Sequence, residues 1–588
     1  MIPECDKSDK NSTERQMFYA QFTLHLNRLA CKQASLPLLF SVALLLAAAS
    51  EAAEFDTALA AYESGEFTRA FEEFSELAES GEAEAQARLA EMYFYGEGVE
   101  QNIPEANRLA EMAADAGNPR ALVYQGDAYF SGRNGLPDME TAFDLYEQAA
   151  EQDYAPALVK IAFMYMNGQG LDRDLSTAIE YFSLAAEQGN NEALVSLGNI
   201  YSNGQGVEVD MQQAVTLYRR AAEQGFAPAQ VNLGNHYYQG SGVEQDTAQA
   251  ISFYRQAAEQ DYPPAQVIMG NLYVEGELLR QDYDEARRLF TDAADESNPQ
   301  AIYWLGWLYE NGYGVDSDVN QAIVLYERAA DFGSPRAQYV LGVKYDNGDG
   351  FPQNATIAAS LFQLASQQDF TPAQVSLANK NYLGQGIPQN FNEALRLYRL
   401  AAEKQDPEAQ TNLGVMYANG QGVEQDFTEA LRLYQLAAEQ DYAQSMVNLG
   451  WMYANGVGVE QDFAETMRYY TLAAEQNHAQ AMLSLGMMHA NAQGTAQDFS
   501  QAVSFFRSAA ELGYAPAQAN LAVMYANGLG VENPSMIDAY MWAQLAAEQG
   551  NEQAQNFQQR LEQTLASEDI TTAMENARRC AANGFRDC

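Results

Sequence analysis

An all-α solenoid is the fold class this sequence predicts, and three observations predict it. A glycine recurs every 36 residues, at 96, 132, 168, 204, 240, 276, 312, 348, 384, 420, 456 and 528, and Ala492 holds the one remaining place. Between these positions the apolar residues keep the i, i+4, i+8 spacing of an amphipathic helix. Six residues after the glycine, twelve of thirteen copies carry Asp or Asn, side chains that start a second helix. Thirteen helix-turn-helix units without an insertion, closed by terminal caps, are the expected architecture.

Residues 1–52 read as a secretory signal peptide, with an alternative translation start at Met17. Arg28 and Lys32 precede an apolar run from Leu36 to Ala49, followed by the small residues Ser50, Ala52 and Ala53. Cleavage is expected before Ala53 or after Ala49. The fourteen-residue run contains Pro37 and falls short of the roughly 20 residues needed to span a bilayer. Export to the periplasm, or release from the cell, follows. Cys5 and Cys31 would leave with this segment, so Cys580 and Cys588 remain. Two thiols eight residues apart near the end of an exported chain read as one disulfide, the alternative being unpaired thiols in a frayed tail.

Residues 53–83 supply a capping helix pair with a short turn at Gly65. The repeats follow over 84–551, and Ala409 to Gln440 shows one: AQTNLGVMYANGQGVEQDFTEALRLYQLAAEQ. Ala409, Leu413, Gly414 and Tyr417 share one face of a first helix, which Gly420-Gln-Gly422 ends. Asp426 caps the second helix, with Glu429 completing a capping box. Pro534 replaces the capping residue in the last copy and is itself a helix starter. The second helix buries Ala430, Tyr434, Ala437 and Ala438. The Gly414 column is Gly or Ala throughout, and that of Ala409 is Ala except at Ser445, so neighbouring backbones approach closely. The Tyr434 column runs Tyr146, Phe182, Tyr218, Tyr254, Phe290 and on to Trp542, and the Tyr417 column is Tyr in eleven repeats. Residues 552–588 form a helical cap, with one helix around Phe557 and Leu561 and another from near Ser567, pinned by the Cys580–Cys588 bridge.

The pattern A-x3-L-G-x2-Y-x2-G-x-G-V-x2-D-x3-A-x3-Y-x2-A-A resembles the Sel-1-like repeat family, a branch of the tetratricopeptide-like helical repeats. The tail SEDITTAMENARRCAANGFRDC is similar to a C-terminal cap of bacterial members. The resemblance implies a right-handed superhelix that serves as adaptor or scaffold for other proteins, often in the bacterial envelope. Members with a disulfide in every repeat are linked to β-lactam binding, and this chain lacks those cysteines.

Composition narrows the function. The formal charge is −48, from 80 acidic and 32 basic residues, and removal of the leader leaves it unchanged. Such a surface repels nucleic acid and anionic membrane, since phosphate contacts need Lys or Arg. His236, His478 and His489 lie in different parts of different repeats, so no metal site is expected. His489 stands in the Tyr417 column and reads as a packed aromatic substitute. The Gly-x-Gly pairs end helices, whereas a phosphate loop opens one after a strand. No catalytic constellation and no cofactor are expected; the chain reads as a non-enzyme.

The residues left free by the repeat are the informative ones. The Asn412 column reads Arg88, Tyr124, Lys160, Ser196, Asn232, Ile268, Trp304, Val340, Ser376, Asn412, Asn448, Ser484, Asn520. The Val415 column reads Glu91, Asp127, Phe163, Asn199, Asn235, Asn271, Trp307, Val343, Asn379, Val415, Trp451, Met487, Val523. Trp304 and Trp307 with Val340 and Val343 predict an apolar patch at repeats seven and eight, on the wall that the resemblance makes concave; Trp451 is a further candidate. An envelope scaffold that binds one or more proteins or peptides is the expected function, without nucleic acid and without stable membrane insertion. An accessory that binds peptidoglycan or exported polysaccharide is the alternative.

Overall fold

The computed structural model describes residues 53–133, 135–586 and 588, so the leader and its cleavage site lie outside the described residues. Helices and turns make up these residues, with no strand among them. The chain divides into two compact units at Ala265/Gln266. In each unit the helices pack in chain order, each against the one before it and the one after it, which is the solenoid arrangement. No described helix is long and apolar enough to cross a membrane.

Local chemistry explains the helix ends. In repeat ten the first helix spans Pro407–Asn419, and Asp406 caps it by accepting from the Ala409 N–H at 2.8 Å. Gly420 closes it in the left-handed conformation, φ 68°. Gly422 serves another purpose: a Cβ there would meet the backbone oxygen of Phe391, in the preceding repeat, at 2.9 Å. The first glycine thus turns the chain and the second lets two repeats touch. The second helix spans Phe427–Ala438, with Asp426 accepting from Thr428 N at 2.9 Å and Glu429 N at 3.0 Å. The reciprocal half of the capping box is not formed. Glu429 turns outward to Arg432, while the Asp426 N–H donates to the Tyr417 carbonyl at 3.0 Å.

Helices of 12 or 13 residues are too short to persist alone, so packing holds them. Ala409, Leu413, Gly414 and Met416 of the first helix are buried, as are Ala430, Leu433, Tyr434 and Ala437 of the second. A Cβ on Gly414 would sit 2.6 Å from Tyr434 Cε1, so the missing side chain is the ring's seat. Burying each such ring contributes about 1.5–3 kcal/mol.

The last repeat departs from the expected frame. Its second helix spans Met536–Glu548, capped by Ser535 rather than by Pro534. One extra residue has entered the turn. The Tyr434 column consequently falls on Ala543, with Trp542 buried one position earlier. The glutamine pairs record the same step: Gln260 to Gln230, Gln368 to Gln338 and Gln440 to Gln410 are separated by 30 residues, and Gln549 to Gln518 by 31.

At the N-terminal end, helices over 53–63 and Phe67–Glu79 flank Gly65, with Phe74 buried beneath them. At the C-terminal end, Glu552–Glu562 and Ser567–Ala582 both pack on Met536–Glu548. Cys580 is buried and bonded to Cys588, with the two Cα atoms 5.2 Å apart. This closure sets Phe585 against Gly513 of repeat twelve.

Candidate functional site

The first helices present the two variable columns on one face, and no member of either is fully buried. Much of their variation has an internal cause. Tyr146 donates to Asp127 at 2.7 Å, Tyr218 to Asn199 at 2.7 Å and Tyr254 to Asn235 at 2.8 Å, and Tyr398 donates to Asn379. In each pair the acceptor stands nineteen residues before the ring. A buried phenol needs a partner for its O–H, and the Val415 column supplies it. Burial pushes Tyr218 and Tyr254 up to about 12, so these phenols stay neutral over the ordinary pH range.

Where the second helix carries Phe182, Phe362 or Phe506, the column turns apolar: Phe163, Val343 and Met487. Asn271 opposite Phe290 breaks this rule, and its Oδ1 is buried with no hydrogen-bond partner. Trp307 cannot accept from Tyr326, whose hydroxyl goes instead to Glu310 at 2.7 Å. Burial raises the Glu310 carboxyl, but hydrogen bonds from Lys344 and Tyr326 outweigh it and hold the group below the usual carboxylate range.

Other members stitch repeats together. Arg120 reaches Glu84 at 3.0 Å and Glu91 at 3.2 Å, and Lys160 reaches Asp127 at 2.9 Å. Outside the two columns, Lys344 pairs with Glu310 and Lys380 with Asp346. Asn412 donates to Asn379 at 3.3 Å. The Asn412 column of one repeat therefore touches the Val415 column of the repeat before it.

The predicted binding residues fall into two settings. Trp304 and Trp307 meet edge to face at 5.5 Å; Trp304 lies parallel to Phe290 at 6.0 Å, and Trp307 sits 5.1 Å from Tyr313. Both are partly buried against the core of their repeats, together with Val340, while the Arg336 guanidinium lies 6.0 Å from the Trp304 ring. Val343 packs partly buried against the adjoining core cluster. Trp451 differs, with 52% of its surface exposed, and Met487 at 43% and Val523 at 40% continue its column through the next two repeats. Sequence reading did not single out Met487 and Val523, although four consecutive apolar residues, Val415, Trp451, Met487 and Val523, in a column elsewhere rich in Asn carried the signal. Asn311, Asn455 and Asn527 donate to the carbonyls of Trp307, Trp451 and Val523, which makes them helix-ending groups.

The three described histidines occupy unrelated settings. His236 Nδ1 lies 2.7 Å from the Ser241 carbonyl, His478 Nε2 lies 3.3 Å from Gln444 Oε1, and His489 stacks on Phe505 at 5.7 Å. Among the described residues, no group of three or more His, Cys, Asp or Glu side chains could hold a metal ion.

The Sel1 repeat profile matches thirteen consecutive segments, from 83–118 and 119–154 without a gap to 515–551. The chain is similar to a crystal structure of a protective antigen from uropathogenic Escherichia coli strains that displays an SLR fold. That likeness has 31% identity and a TM-score of 0.54, covering 75% of this chain and 96% of the other. It is also similar to a Sel1 repeat protein from Oxalobacter formigenes, at 30% identity and a TM-score of 0.38, covering 42% of this chain and 99% of the other. No curated protein matches it.

Proposed function

The chain belongs to the Sel1 repeat family, and we propose that it is a non-enzymatic scaffold of the bacterial envelope that binds proteins or peptides along its first-helix face. One observation carries this reading. Once the internal roles of Asp127, Asn199, Asn235 and Asn379 are subtracted, seven of the nine remaining members of the Val415 column are apolar. Trp304, Trp307, Val340 and Val343 form one group, at repeats seven and eight, and Trp451 stands beyond them. Large side chains held on a rigid helical frame are what a partner's anchors fit, since ordering them costs little at the moment of binding. Export to the periplasm, or beyond it, is supported by the Arg28 to Ala53 segment, with its basic flank, apolar run and small-residue end.

The test is capture from envelope extract by the exported chain beside its Trp304→Ala/Trp307→Ala variant, followed by direct rebinding of each captured protein. A partner held by the wild type and lost by the variant supports a scaffold with its contact at repeats seven and eight. Equal capture by both places the contact elsewhere. No protein partner, together with affinity for envelope oligosaccharides, would favour the glycan-binding alternative.

A further inference from the structure

We propose that the first helices of repeats eleven to thirteen form a docking face for an extended, basic peptide segment whose apolar side chains seat on Trp451, Met487 and Val523. This rests on the scaffold reading and names the chemistry of one partner.

Three observations converge on it. Trp451, Met487 and Val523 are 52%, 43% and 40% exposed, and they occupy the same position of three consecutive repeats. None of them is an acceptor for a buried tyrosine, the role that Asn199 and Asn235 fill. The Asn412-column residues of the same helices, Asn448, Ser484 and Asn520, are neutral amides or hydroxyls. The floor is thus apolar at its centre and uncharged at its sides.

Charge supplies the second argument. Helices Ala443–Asn455, Ala479–Asn491 and Ala515–Asn527 carry no Asp, Glu, Lys or Arg. Yet residues 405–535 hold fourteen acidic and three basic residues. The acids stand at both ends of these helices, with exposed Glu439, Asp441 and Glu475 before them and Glu460, Asp462 and Asp498 after them. Little offsets them: Arg432 pairs with Glu429 and Arg468 with Glu465, which leaves Arg507, a donor to the Tyr525 hydroxyl, as the one arginine of the three without a carboxylate partner among the described residues. An uncharged floor between acidic rims is complementary to a segment with apolar anchors and basic neighbours.

Spacing is the third. One anchor per repeat sets successive contacts about one helix diameter apart, roughly 10 Å. A segment extended in the polyproline II conformation has three residues per turn and advances about 3.1 Å per residue, so every third side chain returns to the same face and meets the next anchor.

The experiment titrates a labelled twelve-residue peptide of four Leu-Lys-Lys units into the full chain at physiological salt. The comparison forms are Trp451→Ala/Met487→Ser and Trp304→Ala/Trp307→Ala. Two control peptides replace every Leu by Ser or every Lys by Glu. Binding by the wild type that weakens at least tenfold in the Trp451/Met487 variant, and equally on removal of the leucines or reversal of the lysines, supports the proposal. The Trp304/Trp307 variant should bind as the wild type does. Unchanged binding by the Trp451/Met487 variant or by the Ser peptide would reduce the effect to attraction between a −48 chain and any polycation, and the proposal falls. It falls too if the wild type does not bind the peptide, while envelope capture would still stand for the scaffold. Dimerisation abolished by the same double variant would assign the face to a second copy and overturn the peptide. Trp451 and Met487 are surface residues, so circular dichroism of the variant should match the wild type.

Discussion

Tyr254 donates its hydroxyl hydrogen to Asn235 Oδ1 at 2.8 Å, across nineteen residues and between the two helices of one repeat. The relation recurs at Tyr146, Tyr218 and Tyr398. It ties a position that looks free on the surface to a ring in the core, and at one described place it leaves the acceptor of this column orphaned.

That place is Asn271 and Phe290. The Asn271 Oδ1 atom is buried without a partner, because the ring opposite has no hydroxyl. Phe290→Tyr should supply the donor and stabilise the chain by about 0.5–1.5 kcal/mol. Urea unfolding beside the wild type checks it, and a loss of stability would mean that the hydroxyl does not reach Asn271.

Ala492 ends its helix at φ 57°, in the left-handed region that glycine occupies in the other twelve repeats. A Cβ in that conformation costs about 1–2 kcal/mol. Ala492→Gly should raise the unfolding midpoint, whereas Gly456→Ala, at φ 66° one repeat earlier, should lower it by a comparable amount.

Gly414 sits beneath the Tyr434 ring, where an added Cβ would lie 2.6 Å from Cε1. The chain itself shows that a methyl can be fitted in this column, for Ala162 and Ala378 are fully buried there. Gly414→Ala should therefore change stability by less than about 1 kcal/mol, helix propensity offsetting the crowding. Gly414→Val should cost about 1–3 kcal/mol. Thermal unfolding of the pair separates the two, and equal losses would contradict the argument.

Alkaline pH should unfold the repeats. Burial pushes Tyr218 and Tyr254 up to about 12, against an unfolded value of about 10. A raised folded value means the native state keeps its proton longer, so this contribution is complete below about pH 10. It is lost as pH rises toward about 12. Tyrosinate absorbance and far-ultraviolet circular dichroism followed together should change in that window, and full ionisation with retained helix would sink the idea.

The order of helices and turns was legible because Gly420 and its counterparts mark every turn and Asp426 and its counterparts every second start. The extra residue before Ser535 was not, because Pro534 stands at the expected spacing and is a plausible helix start. The capping box at Glu429 failed for a physical reason: an arginine three residues on competes for the carboxylate. At the candidate site, composition marked Trp304, Trp307 and Trp451 alike. Their difference is three-dimensional, since Phe290 and Tyr313 cover the first two while Trp451 stands 52% exposed.

In each unit the described repeats hold to the repeats beside them, through recurring contacts such as Gly422 on Phe391 and Gly458 on Phe427. Copy number is for that reason a free variable. A duplication or loss of one whole 36-residue block inside a unit joins like to like, with each broken tie remade by the equivalent residue of the next block. A change of any other size breaks the frame of the helices unless it falls in a turn, as the single added residue before Ser535 does. Such a gene can grow or shrink in steps of one block while its product still folds.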